Sequence, residues 1–419
     1  MIRRVQALDY KCLRHVDQTL GNFHVLVGAN ASGKTTFLDT ISFVGDLLSE
    51  GLDFALGERQ EGNVAEQLTW RGAGSKFEVA LDLEIPAQLR DRENGSSRTG
   101  CRYEVSIGVR APSDGEPEIK GETFWLKGSE SRIQDKPPDL FPEEPTVPPT
   151  IANRKPGAGW RRIVNKVSES GNDYFRGETT NWNNLFRIGS HKSALANLPE
   201  DEEKFPVATW AKLFLAGGIV KLRLSGRAMQ MPSPYYRAKV LYGDGQNLPW
   251  LVRQLKERSE SEFGAWIEHV RTAIPDLLTV ETIERPEDRS LYLQIAYENG
   301  TKVPSWLVSE GTLRLLALTI LAYDPAGGNV YLIEEPENGL HPRAVETVFQ
   351  SLSSVQDSQV LVATHSPVFL SLADPASVLC FAKTQTGATD IVAGKDHPYL
   401  RNWQRETDLG TIFAAGVLA

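Results

Sequence analysis

The sequence holds 419 residues, with 45 Lys and Arg against 54 Asp and Glu; the net charge of −9 excludes a general nucleic-acid coat but leaves room for a local basic surface. With 41% apolar residues the chain can bury one large α/β core with an inserted subdomain, or two modest domains. No apolar run is long enough to cross a bilayer, the start lacks a signal-peptide stretch, and Cys12, Cys101 and Cys380 are odd in number and too far apart for metal-ligand pairs, so a cytoplasmic protein without membrane contact is expected.

The first predicted unit is a strand, a loop and a helix. Phe23-His24-Val25-Leu26-Val27 is an apolar run, residues 28–36 read GANASGKTT, and Phe37, Leu38, Ile41, Leu47 and Leu48 follow at helical spacing. Gly28, Gly33, Lys34 and Thr35 meet the pattern G-x-x-x-x-G-K-[ST]. The two glycines let the backbone curl so that consecutive N–H groups, through Asn30, Ala31, Ser32 and on to Thr36, face a polyphosphate at a helix N-terminus. Lys34 suits the β- and γ-phosphates of ATP, and the Thr35 hydroxyl suits Mg²⁺.

Gln67 follows at a spacing that fits a glutamine sensing Mg²⁺, a surface glutamine being the competing reading. Phe77 to Ile85 and Tyr103 to Val109 alternate apolar and polar residues and predict strands of an antiparallel side sheet. Residues 91–100 and 111–121 read as hairpin loops. Residues 135–156 hold seven prolines and read as an extended, mobile connection. Arg154, Lys155, Arg161, Arg162 and Lys166 form a basic cluster with Trp160, read as a solvated loop and helix face. A helical piece is predicted near Val207 to Leu215, without the heptads of a coiled-coil arm. Asn247 to Ile274 predicts one or two amphipathic helices, leading into strands at Thr279 to Ile283 and Leu291 to Tyr297.

Four further segments carry chemistry. Leu307-Val308-Ser309-Glu310-Gly311-Thr312 precedes Leu313, Leu316, Ala317, Ile320 and Leu321 at helical spacing, so a helix begins near Thr312 with Ser309 or Thr312 as its cap and Glu310 at its positive end. Val330-Tyr331-Leu332-Ile333 reads as a buried parallel strand ending in Glu334-Glu335, where α/β sheets bind ligands. Glu334 would hold Mg²⁺ through water, and Glu335 would polarise an attacking water. After a turn-rich loop and a helix with Val345, Val348 and Phe349, Val360 to Thr364 predicts another buried strand. It ends in His365-Ser366-Pro367, which puts His365 near a γ-phosphate.

In that order, GANASGKT, SEGT, IEEPENGLHP and ATHSP resemble the ATP-binding-cassette ATPases of the RecF, SMC and OLD (overcoming lysogenization defect) group. Ile2, Val5, Leu8 and Tyr10 before Cys12-Leu13-Arg14 are similar to that group's first strands. The resemblance implies an α/β P-loop head of mixed sheet with an antiparallel side sheet and an inserted, partly helical subdomain. It divides the chain into an N-terminal lobe over 1–125, an inserted region over 126–245 and a C-terminal lobe over 246–419. It also implies that Ser309, Glu310, Gly311 and Thr312 replace the cassette signature, that residues 336–341 are the D-loop region, and that His365 is the switch histidine. One departure is Glu334-Glu335 where Asp-Glu is common, a form typical of OLD-like members.

By resemblance, two chains would close head to tail around two ATP molecules, with Ser309 and Gly311 of one acting on the nucleotide held by Lys34, Thr35, Glu334, Glu335 and His365 of the other. A homodimer or larger even-numbered oligomer is the expected state. OLD-type nucleases continue into a Toprim domain with an Asp-x-Asp pair; residues 382–419 contain none. The expectation is an ATPase whose output is delivered by a separate effector, a Toprim-like nuclease being one class, in phage defence or DNA maintenance, with DNA as a further partner. A RecF-like repair protein is the alternative. A transporter subunit is disfavoured by SEGT and the long central insertion.

Overall fold

The computed structural model describes residues 1–59, 65–90, 98–109, 116–128, 139–153, 157, 159–167, 173–180, 182–235, 240–323, 327–400 and 408–416. The chain opens with β1 (Ile2–Tyr10), β2 (Leu13–Thr19), β3 (Phe23–Gly28), α1 (Lys34–Ser49) and the short α2 (Leu52–Gly57). Next come β4 (Lys76–Glu84), a one-turn α3 (Ala87–Arg90), β5 (Gly100–Val109), β6 (Pro117–Lys127), β7 (Arg161–Val167), β8 (Tyr174–Arg176) and β9 (Asn183–Leu185). These are followed by α4 (Pro206–Gly217), β10 (Ile219–Leu222), α5 (Gly226–Gln230), α6 (Leu248–Arg258), α7 (Glu260–Arg271), β11 (Leu277–Glu284), β12 (Leu291–Tyr297) and β13 (Lys302–Pro304). The last part holds α8 (Glu310–Thr319), β14 (Val330–Glu334), α9 (Pro342–Ser353), β15 (Gln359–Ala363), α10 (Pro367–Ser371), β16 (Val378–Lys383), β17 (Thr389–Ala393) and α11 (Leu409–Ala414).

A six-stranded sheet in the order β10-β14-β15-β3-β16-β17 forms the centre, parallel throughout except for β17. Its strands are apolar on both faces, and the period of two sorts their side chains into two cores. Leu26, Leu332, Leu361 and Leu379 join the core that holds α1 and the side sheet. Val25, Val27, Tyr331, Ile333, Val360 and Val362 join the core built by α6 to α9. The side sheet, β2-β1-β4-β5-β6-β7-β8-β9, is antiparallel and covers one face. The strands at β11 and β12 stand where the sequence predicts them and form a third, three-stranded sheet with β13.

The middle of the chain differs from its sequence reading. Residues 117–121, expected in a loop, begin β6, because Pro117, Glu118, Ile119 and Gly121 pair across to β5, with an irregularity at Lys120. Arg161, Arg162 and Lys166 lie on β7 rather than on a solvated helix face. Lys166 is buried, its ammonium donating to the Gly189 and Lys192 carbonyls at 3.0 and 2.6 Å, and Arg162 stacks 4.2 Å from the Trp125 ring. Arg154 and Lys155 lie outside the described residues. The proline-rich connection is pinned over 143–153 rather than mobile: Glu143 N donates to Asp390, Ile151 N to Glu78 and Asn153 N to Glu104, while Arg102 donates to the Ile151 carbonyl. Region 126–245 contributes β7, β8 and β9 to the side sheet, α4 against α1, and β10 to the edge of the central sheet. Among the described residues the longest helix is α1, with 16 residues, in keeping with the missing heptads.

Candidate functional site

The phosphate loop leaves β3 at Gly28 and enters α1 at Lys34. Gly33 holds a φ of 106°, and a β-carbon there would collide with the Thr389 hydroxyl. Thr389, first residue of β17, donates that hydroxyl to the Ser32 carbonyl at 2.9 Å and its own N–H to Cys12 at 3.0 Å. The loop is therefore shaped by its glycines and buttressed by a strand far along the chain. Lys34 is buried and donates to the Gly28 and Ala29 carbonyls at 2.8 and 2.9 Å. Burial lowers its amine to about 8, and the charge of Glu335 partly opposes that shift.

β14 is separated from β3 by one strand, β15, so the ends of all three meet beside the loop. The Thr35 hydroxyl donates to Glu334 Oε2 at 2.8 Å. Two hard oxygen donors thus face each other at the start of α1, a set that suits Mg²⁺. Among the described residues no group of three or more His, Cys, Asp or Glu side chains could hold a metal, so the ion would depend on phosphate oxygens and water for its other ligands.

Glu335 follows with a φ of 48°, a left-handed conformation that a non-glycine residue adopts only under constraint. The constraint is visible: its N–H donates to the Ala363 carbonyl at 2.7 Å and its carboxylate accepts from the Asn338 side chain. His365 lies just past β15. Burial lowers its imidazole first and the nearby Lys34 ammonium adds to this, while Glu335 and Glu337 pull the other way. Glu337 Oε1 accepts from the Thr364 hydroxyl at 2.7 Å and from His365 N at 3.1 Å, tying the two strand ends together.

Ser309 caps α8, its hydroxyl accepting from Thr312 N at 3.2 Å. Glu310 occupies the first turn and pairs with Arg314 at 3.3 Å. Gly311 lets α8 approach the loop after β14, since a β-carbon there would strike the Gly339 carbonyl oxygen. Arg314 donates to the Asn338 carbonyl, which connects the capped helix to the residue holding Glu335.

The structure thus gathers Lys34, Thr35, Glu334, Glu335 and His365, and sets Ser309, Glu310 and Gly311 on a neighbouring helix end. Gln67 is exposed, and among the described residues its side chain makes no hydrogen bond. Sequence reasoning gave no role to Lys221, 3.3 Å from Glu334, to Thr389, or to Glu337 and Asn338. The last two stood within the recognised D-loop stretch; Lys221 and Thr389 had no local signal.

The sheet order and the phosphate loop together are those of an α/β P-loop head. The chain belongs to the family described as AAA domain, putative AbiEii toxin, Type IV TA system, whose model matches residues 23–371. It is 22% identical over 393 residues to the retron Vc95 probable ATPase of Vibrio cholerae serotype O1 biovar El Tor, covering 88% of this chain and 71% of that one. Among solved structures it is similar to the Smc head bound to the C-winged helix domain of ScpA, with a TM-score of 0.53 and 16% identity over 94% of this chain and 97% of that one. A second is the Pyrococcus furiosus Smc head with an extended coiled coil bound to the C-terminal domain of ScpA, with a TM-score of 0.50 and 16% identity over 93% and 95%. At such identity the likeness is one of fold. No helix of the described residues is long and apolar enough to cross a membrane.

Proposed function

We propose that this chain binds and hydrolyses ATP with Mg²⁺, that two copies close head to tail around the nucleotides, and that the cycle regulates a separate effector protein in phage defence or DNA maintenance. The observation that carries the reading is the 2.8 Å contact between Thr35 and Glu334, which joins the phosphate loop to the acidic strand end. Lys34 would leave its loop carbonyls for the β- and γ-phosphates. Thr35 and, through water, Glu334 would hold Mg²⁺, which neutralises phosphate charge when bound; Gln67 is a further ligand in the same proposal. Glu335 would orient and polarise the attacking water, and His365 would contact the γ-phosphate. Ser309, Glu310 and the Gly311 N–H would complete the neighbouring copy's site, as a capped helix end can for an anion.

The role in defence rests on the likeness to a retron ATPase, and the partner on the ScpA complexes of the Smc heads. Lys34→Ala tests the core of the reading: ATP binding or turnover should fall by at least about a hundredfold, because the phosphate loses its ammonium partner. Turnover like that of the parent protein would overturn it.

A further inference from the structure

Lys221 sits on β10, the edge strand parallel to β14, in register with Leu332 and two positions short of the level of Glu334. Ile219 packs into the core that holds α1 and Leu222 into the opposite core, so Lys221, two residues after Ile219, shares the face of α1. That is the helix whose first turn carries Thr35. The Lys221 ammonium stands 3.3 Å from Glu334 Oε1, while Oε2 of the same carboxylate accepts the Thr35 hydroxyl. Its side chain is only 17% exposed. A lysine on an edge strand has open water available, yet this one is folded against the acid that ends the next strand.

Glu334 presents a problem for a triphosphate site. An unpaired carboxylate beside the phosphate loop repels the anion it is meant to serve, and Glu335 adds a second negative charge one residue on. We infer that Lys221 is a positioning residue that acts as the resident counter-charge of Glu334. It holds Oε1, leaves Oε2 to Thr35, and keeps the acid neutralised until a divalent cation arrives. Lys34 serves the phosphates, and Lys221 serves the acid. The ammonium and Mg²⁺ carry like charge and share one carboxylate, so Lys221 also raises the concentration of Mg²⁺ needed to fill the site. This inference rests on the assignment of ATP to the phosphate loop.

Binding of a fluorescent ATP analogue to the full chain tests it, first in EDTA and then across a Mg²⁺ titration, with Lys221→Met and Lys221→Arg beside the parent protein. In EDTA, Lys221→Met should bind the analogue about five- to tenfold more weakly, as expected for one lost charge partner in a partly exposed site. The gap should narrow to about twofold or less at saturating Mg²⁺, and half-saturation by Mg²⁺ should fall several-fold. Lys221→Arg should follow the parent protein. Where Lys221→Met fails to fold, as shown by its melting curve, Lys221→Gln gives the same comparison. No loss in EDTA, or an equal loss with and without Mg²⁺, overturns the inference. A parent protein that binds no analogue even with Mg²⁺ overturns instead the assignment of ATP, and the two failures are distinguishable.

Discussion

Gly311 and Gly339 are in backbone contact: the helix end that carries Ser309 packs so tightly on the loop after β14 that no side chain fits between them. Gly311→Ala should push the two apart and cost about 1–3 kcal/mol of stability together with most of the turnover. Gly264→Ala is the contrast, since that glycine is exposed in the middle of α7 with nothing within 4 Å of an added carbon. It should leave turnover unchanged and raise stability by about 0.5–1 kcal/mol. Melting curves and steady-state hydrolysis of both variants check the pair; a harmless Gly311→Ala would mean the contact yields freely.

Lys34 gives a pH signature. Burial lowers its amine from 10.5 to about 8, and a bound triphosphate favours the charged form. Binding at higher pH therefore takes up a proton, and affinity should fall above pH 8, by at most about tenfold per unit. For the fold alone the sign is opposite. The folded chain gives up this proton more readily than the unfolded one, so stability rises with pH between about 8 and 10.5. Calorimetry at pH 9 in buffers of different ionisation enthalpy measures the proton uptake; none, with unchanged affinity from pH 7 to 9.5, would separate the amine from the phosphates.

Mixed subunits test action across a dimer. Ser309→Arg places a bulky cation at the helix end and should block hydrolysis while leaving the monomer folded. Combined with Lys34→Ala chains, a head-to-tail dimer has one site with both lesions and one with neither, so part of the activity should return. Silence in a mixture proven to contain heterodimers would argue that each chain works alone.

Glu335→Gln keeps the shape and the contact with Asn338 while removing the base. ATP binding should survive and hydrolysis should fall by about two orders of magnitude or more. If opening of the dimer needs hydrolysis, light scattering with Mg-ATP should find the variant at twice its monomer mass. A variant that is inactive yet indifferent to ATP in its mass would sink the nucleotide-gated dimer.

The parts of the fold and site legible in the sequence are those written in contiguous residues. The loop from Gly28 to Thr36, the acids after Ile333 and the cap at Ser309 each carry their local geometry in a short pattern, and β12 falls at the strand expected over Leu291 to Tyr297. Lys221 could not be found that way: it meets Glu334 only because β10 pairs with β14, more than a hundred residues on, and a lone lysine in Ile219-Val220-Lys221-Leu222 has no pattern. Thr389 is hidden for the same reason. Arg161 to Lys166 misled because strand β7 is rich in charge, and charge on a short segment suggests exposure until the carbonyls that receive Lys166 are known. The proline-rich stretch looked loose because its anchors, Glu78 and Glu104, belong to distant strands.

The buttress at Thr389 makes the phosphate loop a seam. One hydroxyl grips the loop at Ser32, the same residue's amide grips the turn between β1 and β2 at Cys12, and its strand closes the far edge of the central sheet. The first strands of the side sheet and the last strand of the central one are thus fastened at the point where a triphosphate would lie. A triphosphate seated in the loop, as proposed, has a place in more than the loop itself. It would lie against the joint between the two sheets, where the hydroxyl and the amide of one threonine hold both.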